Sequence, residues 1–207
     1  MYKTINGIAE GQYSEKRSRF LSFAIPVLTV EEVKTYVKDY RKKFYDANHV
    51  CWAYVLGADR NTFRSSDDGE PSSTAGKPIL GQINSYGLTN LLIIVVRYFG
   101  GIELGTSGLI VAYRAAAKSA IDAAEIEERT VNVEITVVFE YPYLNSIMRI
   151  VKDEQLEIVS STCDTLCEMT LRIPKNRLEH LTNKLLTIKS AALKDRLLET
   201  SFIPLGI

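Results

Sequence analysis

At 207 residues, with 46% hydrophobic and 24% charged side chains, the chain has the make-up of a soluble globular protein of one large or two small domains, which excludes a disordered or fibrous polypeptide. Lysine plus arginine balances aspartate plus glutamate at 25 each; the zero net charge excludes a protein that coats nucleic acid by bulk electrostatics and leaves a local basic patch open. Three cysteines without framework spacing, an N-terminus with no apolar signal-type core and a longest apolar run, Leu91–Val96, far too short to span a bilayer predict a cytoplasmic protein without a membrane segment.

In chain order, residues 4–13 alternate weakly and predict an edge strand, followed by a basic turn at Lys16-Arg17-Ser18-Arg19. Phe20–Val27 predicts a strand stopped at Pro26. Thr29 is suited to cap the next element, with Glu31 and Glu32 in its first turn. Val30, Val33, Val37 and Tyr40 then recur every three or four residues, so 30–44 is an amphipathic helix whose polar face carries Lys34, Lys38, Arg41 and Lys42. Val50–Leu56 and Asn61–Ser66 predict an antiparallel pair, 67–78 a polar loop, Pro78–Tyr86 a short helix, Leu91–Arg97 a buried strand and Gly105–Ala124 an alanine-rich helix.

Glu125–Arg129 is charged and precedes a restart of the pattern, which predicts a domain boundary dividing the chain into 1–127 and 128–207. Val131, Val133, Ile135, Val137 and Phe139 alternate as a half-buried strand does. A helix at Leu144–Val151, a hairpin of 156–161 with 166–173, a helix at Leu178–Ile188 and a last strand at Leu197–Ile203 complete the order β-α-β-β-α-β of the ferredoxin-like split unit.

Two segments concentrate the chemistry. The first is Leu91–Ala117, in which a buried strand ends in Arg97, passes a glycine turn and restarts as a helix. Gly100-x4-Gly105-Thr106-Ser107 nearly copies a phosphate-binding loop, with Gly101 beside it, but Thr106 stands where the phosphate-binding lysine belongs. Ordinary nucleotide hydrolysis is therefore not expected. The loop is either an anion site built from helix N–H groups and the Thr106 or Ser107 hydroxyl, or a tight turn that only needs glycine. Arg97 either contacts a ligand or forms an internal ion pair with Asp67, Asp68 or Glu70, a network that Glu103 and Arg114 can join.

The second segment is Asp67–Pro78. Asp67, Asp68 and Glu70 can act as acid/base groups or stand in a solvated turn, and no partner ligands at metal spacing accompany them. Ser72, Ser73 and Thr74 can form a hydroxyl cradle or cap the next helix. His49 and Cys51 share a strand face, and read better as a structural histidine beside a core cysteine than as a nucleophile pair. Cys163-x3-Cys167 lacks further zinc ligands and reads as buried thiols. We expect neither metal nor cofactor. A nucleic-acid surface would draw on Lys16, Arg17, Arg19, Lys34, Lys38, Arg41, Lys42, Lys43, Arg60 and Arg64, with Tyr13, Tyr45, Trp52, Tyr98 and Phe99 interleaved.

Taken together, these segments resemble the Impact family in its bacterial form. The match rests on Arg64-Ser65-Ser66-Asp67-Asp68-Gly69-Glu70-Pro71-Ser72 with Thr74-Ala75-Gly76 and Pro78. It rests equally on Val95-Val96-Arg97-Tyr98-Phe99-Gly100-Gly101 with Leu104-Gly105 and Gly108-Leu109, and on Ala47-Asn48-His49 before a strand. The resemblance implies a two-domain α+β protein. Its first domain is expected to look like the second domain of ribosomal protein S-five, a fold also used by elongation factor G domain IV. Its second is expected to be ferredoxin-like, similar to elongation factor G domain V. Eukaryotic members of the family regulate translation by binding the activator of an amino-acid-starvation kinase. Members usually carry glycine where this chain has Ser73, a difference that matters if the position needs a positive φ.

With no complete catalytic set, these features favour a translation-linked regulator that binds nucleic acid, the ribosome or a translation-control protein. The competing expectation is an enzyme acting on a small phosphorylated or carboxylated ligand at the 67–78 and 97–107 loops, with Arg97 and the helix start holding the anion and Asp68 or Glu70 as base.

Overall fold

The structure, a computed structural model, describes residues 1–188 and 191–200, with 194–200 described by backbone alone. The chain divides into two compact units, Met1–Arg129 and Thr130–Ile207.

The first unit contains β1 (Tyr2–Ile5), β2 (Ala9–Glu15), β3 (Ser18–Pro26), α1 (Val30–Lys43), β4 (His49–Leu56), β5 (Thr62–Ser66), α2 (Gly76–Ser85), β6 (Leu91–Tyr98), α3 (Gly105–Asp122) and β7 (Ile126–Arg129). Five strands form an antiparallel sheet in the order β2-β3-β6-β4-β5. The unbroken apolar run of β6 follows from its place between β3 and β4: Leu91 to Val96 are fully buried. Ile93 and Val95 face α2 and α3, with Ile79, Ile83, Tyr113 and the alanines of α3. Leu92, Ile94 and Val96 face α1. Two helices therefore cover one face, and a single helix crosses the other.

The α1 helix starts where its capping residues predict. Thr29 Oγ1 accepts from the Glu32 N–H at 3.2 Å, and the Glu32 carboxylate accepts from the Leu28 N–H at 2.7 Å. One expectation needs correcting. The predicted edge strand over 4–13 is two strands parted around Gly7, and only β2 belongs to the large sheet. Glu125–Arg129 contains a strand, β7, which pairs antiparallel with β1, with Lys3 and Glu128 3.8 Å apart; the first unit ends at its last residue.

The second unit runs β8 (Asn132–Glu140), α4 (Leu144–Asp153), β9 (Glu157–Cys163), β10 (Leu166–Pro174), α5 (Leu178–Leu186) and β11 (Ala192–Thr200). Its four strands are antiparallel in the order β11-β8-β10-β9. Val133, Ile135, Val137 and Phe139 of β8 pack with Ile147 of α4 and Leu181 and Leu185 of α5. The last strand begins at Ala192, five residues before the predicted start, and residues 201–203 of that prediction lie outside the described residues.

Candidate functional site

The two polar segments meet through one buried ion pair. Arg97 Nη1 donates to Glu70 Oε1 at 2.6 Å, and the Tyr113 hydroxyl donates to the same oxygen at 2.7 Å. The Arg97 guanidinium carbon lies 5.5 Å from the ring centre of Phe20 and 5.5 Å from that of Phe99. Its Nε is buried without an acceptor. Of the three acids considered for Arg97, Glu70 is the partner, and the exposed Glu103 and Arg114 stand apart from the network.

Asp67 and Asp68 serve the loop itself. The Asp67 carboxylate accepts from the N–H groups of Ser73 (2.8 Å), Ala75 (3.0 Å) and Gly76 (2.8 Å), capping α2 from a distance in sequence. Partial burial pushes its pKa up, but those N–H groups and the Lys77 charge outweigh that and hold it below its ordinary value. Asp68 accepts from the Val50 N–H at 2.6 Å and from Arg41. Ser72 is exposed, and Thr74 Oγ1 donates to the Pro71 carbonyl at 2.6 Å, so neither forms a cradle. Ser73 has φ +66°, the left-handed backbone that glycine favours.

The glycine loop is divided in its duties. A Cβ on Gly100 would lie 2.1 Å from the carbonyl carbon of Arg17, and its N–H donates to Ser18 Oγ at 3.2 Å. That glycine is needed for close approach to the β2–β3 turn, so its N–H is engaged internally. Gly101 and Gly105 adopt positive φ and face open space. Thr106 and Ser107 are exposed at the start of α3, whose cap position, Leu104, supplies no side-chain hydrogen bond. Asn48 fastens the loop's entrance: its N–H donates to the Arg97 carbonyl at 3.0 Å and its Oδ1 accepts from the Phe99 N–H at 2.8 Å. This gives the Ala47-Asn48-His49 segment its structural role.

Cys51 Sγ lies 3.0 Å from the Asp67 carbonyl and 3.3 Å from the Tyr113 oxygen. Burial pushes its thiol far above the ordinary range, with the carboxylates of Glu70, Asp68 and Asp67 adding to the effect, so it is no nucleophile. His49 Nδ1 donates to the Asp68 carbonyl at 2.8 Å, leaving Nε2 3.9 Å from Glu70 Oε1. Among the described residues, no three of His, Cys, Asp and Glu converge on a metal-sized site. Cys163 and Cys167, expected as buried thiols, are joined in a disulfide. The antiparallel register explains it, because the two residues face each other across β9 and β10.

Most of the cations considered for a nucleic-acid surface lie in two places. Lys16 and Arg17, both at positive φ, make the two-residue β2–β3 turn, and Arg19 lies 5.2 Å over the Tyr98 ring. On the β4–β5 side of the sheet, α1 and β5 flank a groove of about 390 Å³. Its floor is β4, where Trp52 and Tyr54 stack with ring centres 5.9 Å apart and planes 12° apart. Its rims carry Lys34, Lys38 and Arg41 from α1 and Arg64 from β5. Arg41 pairs with Asp68; among the described residues no acid pairs with Lys34, Lys38 or Arg64. Lys42 is exposed on α1 but does not line the groove. Sequence reasoning found Trp52 and these cations but missed Tyr54 and Tyr113; the alternation Val50, Trp52, Tyr54 marks the first, and no local pattern marks the second.

No described helix is long and apolar enough to cross a membrane. A family model described as the Impact N-terminal domain matches residues 16–121. The IMPACT family member YigZ of Escherichia coli is 33% identical over 181 residues, covering 86% of this chain and 89% of its own. The rabbit (Oryctolagus cuniculus) Protein IMPACT is 35% identical over 97 residues, which is 44% of this chain and 30% of that protein. A crystal structure described as a hypothetical protein superposes with a TM-score of 0.68 at 31% identity, covering 93% of this chain and 95% of the other. Both motif segments fall inside the matched region, and on that match and its near full-length bacterial relative the chain belongs to the Impact family.

Proposed function

We propose that the protein is a translation-linked regulator that works by binding, and that the groove flanked by α1 and β5 is its contact surface for RNA, free or within the ribosome. The carrying observation is that Lys34, Lys38 and Arg64, which have no acid partner among the described residues, gather around Trp52 in a chain of zero net charge. Concentrating unpaired cations on one face is the electrostatic footprint of a polyanion site. The family supports the setting, since its eukaryotic members regulate translation. On this reading residues 1–127 form the Impact domain with the ribosomal protein S-five second-domain-like fold, 128–207 form a ferredoxin-like domain akin to elongation factor G domain V, and the protein works in the cytoplasm. Catalysis on a small anion at the 67–78 and 97–107 loops is disfavoured, because Arg97 spends its charge on Glu70.

Co-sedimentation with ribosomes and with unstructured RNA tests the reading. The triple charge reversal of Lys34, Lys38 and Arg64 to glutamate is expected to abolish pelleting at low salt. Three phosphate contacts give a log–log salt slope of about −2 for the parent protein. Undiminished pelleting of the triple variant would place the contact surface elsewhere.

A further inference from the structure

The groove has a direction. At the Val50 end its charge is cancelled: Arg41 pairs with Asp68, whose other carboxylate oxygen accepts from the Val50 N–H. Toward the Tyr54 end the cations have no acid partner among the described residues: Lys38 and Lys34 succeed Arg41 along one stripe of α1, and Arg64 stands opposite Tyr54 in the strand register. Between them lies the stacked Trp52–Tyr54 pair. Trp52 is half-buried and Tyr54 buried, so the floor meets a ligand mainly through the indole.

We propose that this groove holds single-stranded RNA by laying one unstacked nucleobase on Trp52 while Lys34, Lys38 and Arg64 take the flanking phosphates. The proposal rests on the RNA-binding reading above and narrows it to a ligand class and a pose. A duplex keeps its bases stacked inside and offers a recessed aromatic floor nothing to stack on, whereas a single strand can splay a base onto it. Lys34 and Lys38 are one helical turn, about 6 Å, apart, a spacing of the same order as one phosphate to the next along an extended strand. An acidic peptide would satisfy the cations and leave the indole without a planar partner. Phosphates are drawn to the Tyr54 end, because at the other end the Arg41 charge is already taken up by Asp68.

Trp52 is the single tryptophan of the chain, so its fluorescence reports on this groove alone. The full chain is titrated with an unstructured 12-nucleotide RNA, a duplex RNA of equal length, a heparin fragment and a glutamate-rich peptide. The single strand is expected to quench Trp52 emission, and Trp52→Leu to weaken its binding about tenfold or more. Trp52→Phe, which keeps an aromatic face, should recover most of the loss, and matching thermal melts separate stacking from misfolding. Single-strand binding that leaves the emission unchanged, or full affinity in folded Trp52→Leu, overturns the stacking pose while the broader RNA reading stands. Equal quenching by duplex or heparin also overturns it, leaving a site of charge alone. Quenching by the peptide without the RNA assigns the groove to a protein partner. Absence of any RNA binding at low salt removes both readings together.

Discussion

Arg97 and Glu70 form an ion pair at 2.6 Å with their side chains only 6% and 3% exposed. The pair joins the end of the central strand β6 to the loop that precedes α2, and Tyr113 from α3 closes it from a third element. Removing one partner of a buried pair strands the other charge in a poor solvent, at a cost of about 3–5 kcal/mol. Glu70→Gln is therefore expected to lower the unfolding free energy by that order in urea titration. Glu70→Gln with Arg97→Met should be less destabilised than the two single variants summed, because no charge is then left alone. Single variants costing under about 1 kcal/mol, with additive effects, would contradict the pairing.

Ser73 occupies a position where the backbone has φ +66°, and its N–H donates to Asp67. A residue with a Cβ is strained there by roughly 1–2 kcal/mol, and glycine recovers that less its greater entropy in the unfolded chain. Ser73→Gly should stabilise the protein by about 0.5–1 kcal/mol, read as a rise in the urea midpoint at unchanged slope. No rise, or a fall, would mean the loop relaxes around serine in solution.

What local pattern carries was legible in the sequence. The period of Val30, Val33, Val37 and Tyr40 marked α1, and the run Leu91–Val96 marked a central strand, because burial on one face or on both writes itself into neighbouring residues. The candidate acids for Arg97 were also on the right loop. Choosing Glu70 among them needed the three-dimensional path of the loop, since Asp67 is turned back onto α2 and Asp68 onto Val50 and Arg41. Strand β7 is not legible as a strand in its own charged residues because its partner, β1, lies at the opposite end of the unit in sequence. The groove was invisible for a related reason. Trp52, Lys38 and Arg64 were individually suggestive, but only the sheet order puts β5 on the far side of β4 from β6, leaving one helix to cover that face.

The disulfide between Cys163 and Cys167 and the buried thiol of Cys51 make a counting prediction. Protein purified without reductant, denatured and alkylated, should take up one label, at Cys51. After reduction it should take up three. In the native state Cys51 should resist alkylation at mildly alkaline pH, since burial keeps its thiol protonated there. Three labels without reductant would mean that the hairpin pair is open in the isolated protein. Rapid native labelling of Cys51 would mean that its surroundings open readily.

Asp67 predicts an acid-sensitive cap. Its carboxyl titrates below the ordinary value in the folded protein because three backbone N–H groups and Lys77 favour the charged form over the opposing effect of burial. A depressed folded pKa stabilises the protein fully above the unfolded value of about 3.9, and that contribution is lost as pH falls through the folded value. Asp67→Asn should cost about 1 kcal/mol at pH 7, as loss of a capping side chain does. The asparagine amide keeps one oxygen for the donors at Ala75 and Gly76 but turns an NH₂ group toward one of the N–H groups that the carboxylate satisfies. The difference in stability between parent and variant should therefore be constant from pH 7 to about 5 and should shrink below that. Urea midpoints measured from pH 7 down to 2.5 give the difference directly and cancel the other carboxylates. Curves that stay parallel to the lowest pH would show that the charge on Asp67 contributes nothing, and that the loop is held by shape alone.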